Sequence, residues 1–553
     1  MEKKYLKYRN LIITIIIFSI IKLVMTCNLP ILALPSQGYD DEIMYKLMFE
    51  LVNGNWLGDY TSLTLIKGCF FPLYLAIIKY LGMSYMHVTT LAYIFSCIYF
   101  VYAIRNIFKN KNFLIPIFII LLFNPISYAS WTYQRIYRNG IVSFLELFIF
   151  GSIFLLYMNR NKKITKILPH AIIAGISLSA LLQTKEDGMW ILPYVYVAII
   201  VTIITLIIEN RKKIKENIIN IVTKSAIFII PICIVFLVDV LIGYMNYSKY
   251  GIFVSNEKSK GYIDKCIHAI NSVKVEDDID YVSASRKKIK KIYEISPTLK
   301  SIEKDLEERL TEWNSIDRYP SDGEVEDGFF FWALREAVER NDYYKDAKTS
   351  NEFYKNVYTE ITEAISTGKV ESNRCVLGVV WHKKYIKEIV TNINTILKYV
   401  VNYEKVISTT EISDSSMGEN RIRDVESFTN DTAIYPTDTA DTQRFYAKYV
   451  SRLNKIGDIY RKTNIYVIII SLICYLGLIA KLIIKKEKCL DICLILTGML
   501  FSFFLVVGGV AFINMTSCYA IYYMYLVACY PLMSAFEFIS ICGFANSFIK
   551  KER

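Results

Sequence analysis

Long apolar runs alternate with short basic connections along most of this chain. Apolar runs of about 18 or more residues read as membrane helices. Ten such runs are present, at 11–34, 84–104, 113–130, 141–158, 167–182, 190–208, 218–243, 464–480, 489–513 and 520–545. The fifth is short, and Lys22 interrupts the first. Asn28-Leu29-Pro30 provides no small-residue cleavage pattern, so the first run is expected to be an anchor and not a cleaved leader. A polar stretch at 247–463, low in Gly and Pro, separates the seventh run from the eighth. The pattern predicts an α-helical polytopic membrane protein in three parts. These are an N-terminal transmembrane module (1–246), a mostly helical extracytoplasmic domain (247–463) and a C-terminal transmembrane module (464–553).

Composition agrees with this: 54% of the 553 residues are hydrophobic. The net charge of +12 would suit a nucleic-acid binder only if it formed a soluble basic patch. It does not. The connections that fall on one side of a ten-span alternation hold 23 cations and five acids. They include Arg105, Lys109, Lys111, Arg160, Lys481, Lys485, Lys486, Lys488, Lys550, Lys551 and Arg553. The positive-inside rule makes that side cytoplasmic, with both termini inside. The domain at 247–463 is near neutral, and no nucleic-acid partner is expected. Richness in Ile, Lys, Asn and Tyr suggests a bacterial plasma-membrane protein of the cell envelope.

The first external loop, 35–83, carries the densest chemistry. Asp40, Asp41 and Glu42 precede apolar positions 43, 44, 47, 48 and 51, which recur at helical spacing. The acids could be helix caps, although three exceed what one cap needs. A turn follows at Gly54-Asn55-Trp56. Lys67 then precedes an apolar run from Phe70 to about Leu81, too short to span and suited to a helix lying in the interface. Two more external loops add Arg135 and Arg138, and then Lys185, Glu186 and Asp187. External arginines are disfavoured unless useful; lipid headgroups or an ion pair with Glu186 or Asp187 are the plain alternatives. Glu146 is the deepest acid in a predicted span, and Asp239, Asp491 and Glu537 also fall in or near spans.

The order Asp41-Glu42-x-x-Tyr45, Gly54-x-Trp56, then Lys67 and Pro72-Leu73 resembles the first external loop of GT-C glycosyltransferases. It is most similar to the protein O-mannosyltransferase and lipid A aminoarabinose-transferase branch. That branch usually has Lys-Pro-Pro-Leu, from which this loop departs. The resemblance implies an inverting transferase that takes a sugar from a polyprenyl-phosphate donor and passes it to a glycan, lipid or protein acceptor outside the cytoplasm. Such chemistry needs a carboxylate base for the acceptor hydroxyl. Motif position favours Asp41, with Asp40 as the neighbour that could act instead. Glu42 and Tyr45 would contact substrate, Lys67 would stabilise the leaving phosphate, and Arg135, Arg138, Lys185 and Glu186 are further binding candidates. No cofactor is established; a divalent metal on the acids at 40–42 stays open. The alternatives are a cell-surface polysaccharide polymerase or ligase, which would put catalytic Arg or His in the large domain, and a non-enzymatic transporter or sensor.

Within 247–463, Ser285–Trp313 predicts an amphipathic helix pair around Pro297. The aromatic segment 328–338 reads as domain core or as a surface for sugar or lipid. Residues 409–443, rich in Thr, Ser, Asp and Asn, predict a mobile loop. Cys266 and Cys375 could pair or stay free. Cys489 and Cys493 do not make a metal site, and the four His are scattered.

Overall fold

The computed structural model describes residues 2–276, 279, 281–314, 323–484 and 489–549. Lys485, Lys486, Lys488, Lys550, Lys551 and Arg553 lie outside them. Helix α1 (Glu2–Thr26) leads into two short helices, α2 (Asp41–Val52) and α3 (Phe70–Leu81). Then come α4 (Tyr85–Ile104), α5 (Leu114–Leu122), α6 (Val142–Asn159), α7 (Leu168–Leu182), α8 (Leu192–Asn210) and α9 (Ile214–Tyr250). A polar module follows with α10 (Glu257–Lys260), α11 (Tyr262–Ser272), α12 (Arg286–Tyr293), α13 (Pro297–Lys300), α14 (Glu303–Asn314), α15 (Asp327–Arg340) and α16 (Ala347–Ser366). A short hairpin in it pairs Cys375–Val376 with Val379–Val380. Helices α17 (Tyr385–Val401) and α18 (Glu419–Thr429) return to the bundle, which α19 (Ala440–Ile483), α20 (Leu490–Thr516) and α21 (Cys529–Ser547) complete.

The protein is a polytopic α-helical membrane protein. Among the described residues, eight helices are long and apolar enough to cross a membrane. The other two runs depart from their predicted bounds. The 113–130 run is α-helical only to Leu122, because Asn124-Pro125 opens a series of tight turns. In the 520–545 run the helix starts at Cys529. The first run likewise ends as helix at Thr26.

Among the described residues, contacts gather at two ends of the bundle. At one end Tyr157 donates to Asp491 at 2.8 Å, Arg160 Nε to Glu209 at 3.0 Å, and Lys481 to Ser547 at 2.6 Å. Lys109 reaches the carbonyl of Ile549, and Lys111 lies 5.9 Å from the Tyr8 ring. The described basic connections thus converge there. The opposite end gathers the loop after α1, the start of α4, and the segments 124–141, 183–188 and 517–528. Thr26 bonds Thr90 at 3.0 Å, Phe70 N donates to Gln183 O at 3.2 Å, and Trp131 N donates to Tyr523 Oη at 2.9 Å.

The stretch 247–463 is not one unit in its packing. Residues 263–370 bury a core of their own around Leu306, Leu334 and Val357. Tyr399, Tyr403, Ile422, Phe428 and Ala433 instead belong to the bundle core, and α19 runs unbroken from 440 to 483. The amphipathic pair around Pro297 is three helices, since Pro297 opens a short helix capped by Ser296.

Residues 409–443 form an ordered strap, contrary to the loop expectation. Thr432 O accepts from Ile31 N at 2.9 Å, Ser413 Oγ accepts from Ala33 N at 3.0 Å, and Asp431 accepts from Met86 N at 3.0 Å. Its polar side chains bond to partners 345 to 380 residues away, which local composition does not reveal. Among the described residues no disulfide forms, Cys266 and Cys375 included.

Candidate functional site

Each of the three consecutive acids has its own cation. Asp40 precedes α2 but makes no cap hydrogen bond. Its carboxylate accepts from Lys67 Nζ at 2.6 Å and from Tyr137 Oη at 2.7 Å. Asp41 lies in the first turn of α2, where a carboxylate suits the helix dipole. Arg135 Nε lies 3.0 and 3.1 Å from its two oxygens, and the guanidinium closes a second bond to Oδ2. Glu42 pairs with Lys46 one turn on, at 3.0 Å. The acids therefore diverge, and capping does not explain Asp40.

Accessibility separates the two aspartates. The Asp40 side chain is 39% exposed, whereas Asp41 has no exposed surface. The Asp41 carboxylate is enclosed and held at both oxygens by Arg135. Burial pushes the Asp41 carboxyl up to about 6, with Arg135 opposing the rise. At Asp40 burial also raises the pKa, but Lys67, Arg135 and Tyr137 more than offset it and hold the group below the carboxylate range.

Lys67 is buried and also donates to the Tyr39 carbonyl. Its pKa is pushed down to about 8, first by burial and then by Arg138. The backbone explains its placement. Gly68 lies so close to Gln183 that a Cβ there would sit 2.0 Å from the Gln183 carbonyl oxygen. Thus the end of α7 fixes the Lys67 segment. Arg135 lies between Trp131 and Tyr137, 4.7 and 4.6 Å from their rings. Arg138 bonds both Glu186 oxygens at 3.0 and 2.9 Å, the ion-pair alternative for this residue. It also donates to Tyr137 Oη, which joins it to Asp40.

Of the predicted site residues, the structure thus brings together Asp40, Asp41, Lys67, Arg135, Arg138 and Glu186. Lys185 pairs with Asp187 at 3.2 Å at the margin of the cluster. Tyr45 turns away. It is buried against Phe428, ring centroids 5.2 Å apart, and its hydroxyl has no partner among the described residues. Glu42 faces a different, open cleft. Sequence reasoning did not single out Tyr137, which links Arg138 to Asp40. The available signal was alternation: Arg135 is extended and Tyr137 follows at i+2, so both face one side.

Beside the cluster an apolar groove of about 270 Å³ runs between the start of α8 and α20. Leu181, Trp190, Val506, Gly509, Val510 and Ile513 line it, and Lys185, Asp187 and Tyr525 form its polar part. The Lys185 ammonium lies 5.9 Å from the Tyr525 ring. The arrangement offers an exposed carboxylate, buried cations and an apolar channel side by side. Charges in the cluster balance, so an entering anion must take donors from the carboxylates already holding them.

No family model matches the chain, and no curated protein matches it. Among solved structures it is similar to the crystal structure of ArnT from Cupriavidus metallidurans bound to undecaprenyl phosphate. Identity is 11%, over 91% of this chain and 77% of that one, with a TM-score of 0.30. A likeness at that level fixes no residue correspondence. Among the described residues no three His, Cys, Asp or Glu side chains are grouped as a metal site would require.

Proposed function

We propose that this protein is a membrane glycosyltransferase of the GT-C kind, moving a sugar from a polyprenyl-phosphate donor to an acceptor outside the cytoplasm. The observation that carries the reading is the half-exposed Asp40 carboxylate held by the buried Lys67 ammonium next to an apolar groove. The convergence of basic connections at the opposite end supports a cytoplasmic location for that end, which leaves the cluster outside.

In this reading the prenyl chain lies in the groove and its phosphate meets Lys67, Arg138 and Lys185. Lys67 cannot serve the phosphate and Asp40 equally. As the phosphate draws Lys67 away, Asp40 loses the cation that depressed its pKa and becomes a better base. The acceptor oxygen attacks the anomeric carbon, its proton passes to Asp40, and the bond from that carbon to the phosphate oxygen breaks. The cations stabilise the charge gathering on the leaving polyprenyl phosphate. Asp41 and Arg135 keep Asp40 in place. The test is glycan transfer by the full chain in liposomes loaded with polyprenyl-phosphate sugars. Transfer that disappears in Asp40→Asn supports the proposal; an unchanged rate in that variant overturns it.

A further inference from the structure

A second cleft, of about 390 Å³, opens on the other side of the segment that carries Asp40. Its walls come from two parts of the fold. Tyr39, Glu42 and Lys46 belong to the first loop and α2, while Trp332, Glu336 and Glu339 belong to α15 of the polar module. The Tyr39 ring lies 4.5 Å from Trp332 and 5.6 Å from Trp313. Glu336 accepts from Tyr39 Oη and, at 3.0 Å, from Trp313 Nε1, which fixes the aromatic wall. At the base of the cleft Arg335 is 1% exposed; it donates to Glu257 and to the Ser62 carbonyl, and its Nε has no partner among the described residues. Tyr39 directly precedes Asp40, so their Cα atoms are about 3.8 Å apart.

We infer that this cleft binds the acceptor, and that the acceptor is a saccharide without acidic groups; the inference rests on the transferase reading above. Aromatic faces suit the apolar faces of sugar rings. Glu42, Glu336 and Glu339 outnumber Lys46 and Arg335 in the lining, so the cleft is net acidic, disfavours anions and accepts from hydroxyl or amino groups, above all at Glu339. The buried Arg335 adds a donor for a ring or carbonyl oxygen. Occupation of the cleft brings an acceptor hydroxyl towards Asp40, past Tyr39. The polar module therefore supplies half of the acceptor site.

The test measures binding to the full chain in detergent by calorimetry. The probes are neutral hexose, N-acetylhexosamine and hexosamine tetramers, tetragalacturonate as the anionic control, and undecaprenyl phosphate. At least one of the non-acidic tetramers binds, and tetragalacturonate binds at least about tenfold more weakly. Trp332→Ala and Glu339→Arg each weaken the tetramer by about tenfold or more and leave undecaprenyl phosphate affinity unchanged. Glu339 is on the surface, so its variant reports even if Trp332→Ala folds poorly. If no non-acidic tetramer binds, or Glu339→Arg binds it like wild type, while undecaprenyl phosphate still binds, the inference falls and the donor reading stands. Loss of undecaprenyl phosphate binding in the wild type sinks the donor reading instead.

Discussion

Arg135 holds both carboxylate oxygens of Asp41, and the pair is buried, with Arg135 2% and Asp41 0% exposed. Its neighbour Asp40 is half-exposed and bonds the buried Lys67. Removing one partner of a buried pair leaves the other charge uncompensated, at a cost of about 3–5 kcal/mol. Asp41→Asn is therefore expected to lower thermal stability strongly. Asp40→Asn removes the carboxylate from the buried Lys67 but at a half-exposed position, so it is expected to lower the melting temperature less than Asp41→Asn and to reduce transfer by about 10²-fold or more. Melting curves and single-turnover transfer on both variants decide this. Equal stability with inactivity only in Asp41→Asn would reverse the two roles.

Lys67 predicts opposite pH trends for binding and stability. Its pKa is lowered from 10.5 to about 8 in the folded protein. Between these values the unfolded chain binds more protons, so this residue's contribution makes stability rise with pH across that window. The ammonium needed for phosphate is lost over the same interval. Polyprenyl phosphate affinity is expected to fall as pH rises through about 8, and Lys67→Met is expected to flatten that dependence. A wild-type titration with no change between pH 7 and 9, read by lipid-binding fluorescence, would contradict it.

Gly68 tests the backbone that carries Lys67. A methyl group there would overlap the Gln183 carbonyl oxygen, an atom of the main chain that cannot rotate aside. Gly68→Ala is expected to cost about 1–3 kcal/mol and to weaken donor binding by displacing Lys67. Gly82→Ala is the control for an open position, where no atom lies within 4 Å, although its φ of +61° carries its own strain. If Gly68→Ala melts and binds like wild type, the close approach is not decisive.

Gly509 lines the apolar groove, and no atom lies within 4 Å of the point where a Cβ would stand. Gly509→Leu should fit the helix, where Leu has the higher propensity by somewhat under about 1 kcal/mol, but project into the groove. Expected is a loss of affinity for long-chain prenyl phosphates with little change for a short-chain analogue. Equal affinity for both chain lengths in the variant would remove the groove from the donor site.

Several features were legible in the linear order. Apolar runs marked the bundle helices, the spacing of residues 43–51 marked α2, and the short run after Lys67 marked α3 with its exposed Ile77, Tyr80 and Leu81. The run bounds were less legible where Asn124-Pro125 or the turns before Cys529 interrupt helical hydrogen bonding. The strap at 409–443 looked unstructured because its partners are remote in sequence.

The sequence by itself determined which residues can form membrane helices, because hydrophobicity and 3.6-residue periodicity are local properties. It also determined which connections are basic, and the described ones share one end of the bundle. Only the tertiary structure decided what the acids at 40–42 do. Lys67 lies 27 residues from Asp40 and Arg135 lies 94 residues from Asp41. Electrostatic partners are set by distance in space, so no local pattern could say that Asp41 is sealed and Asp40 open.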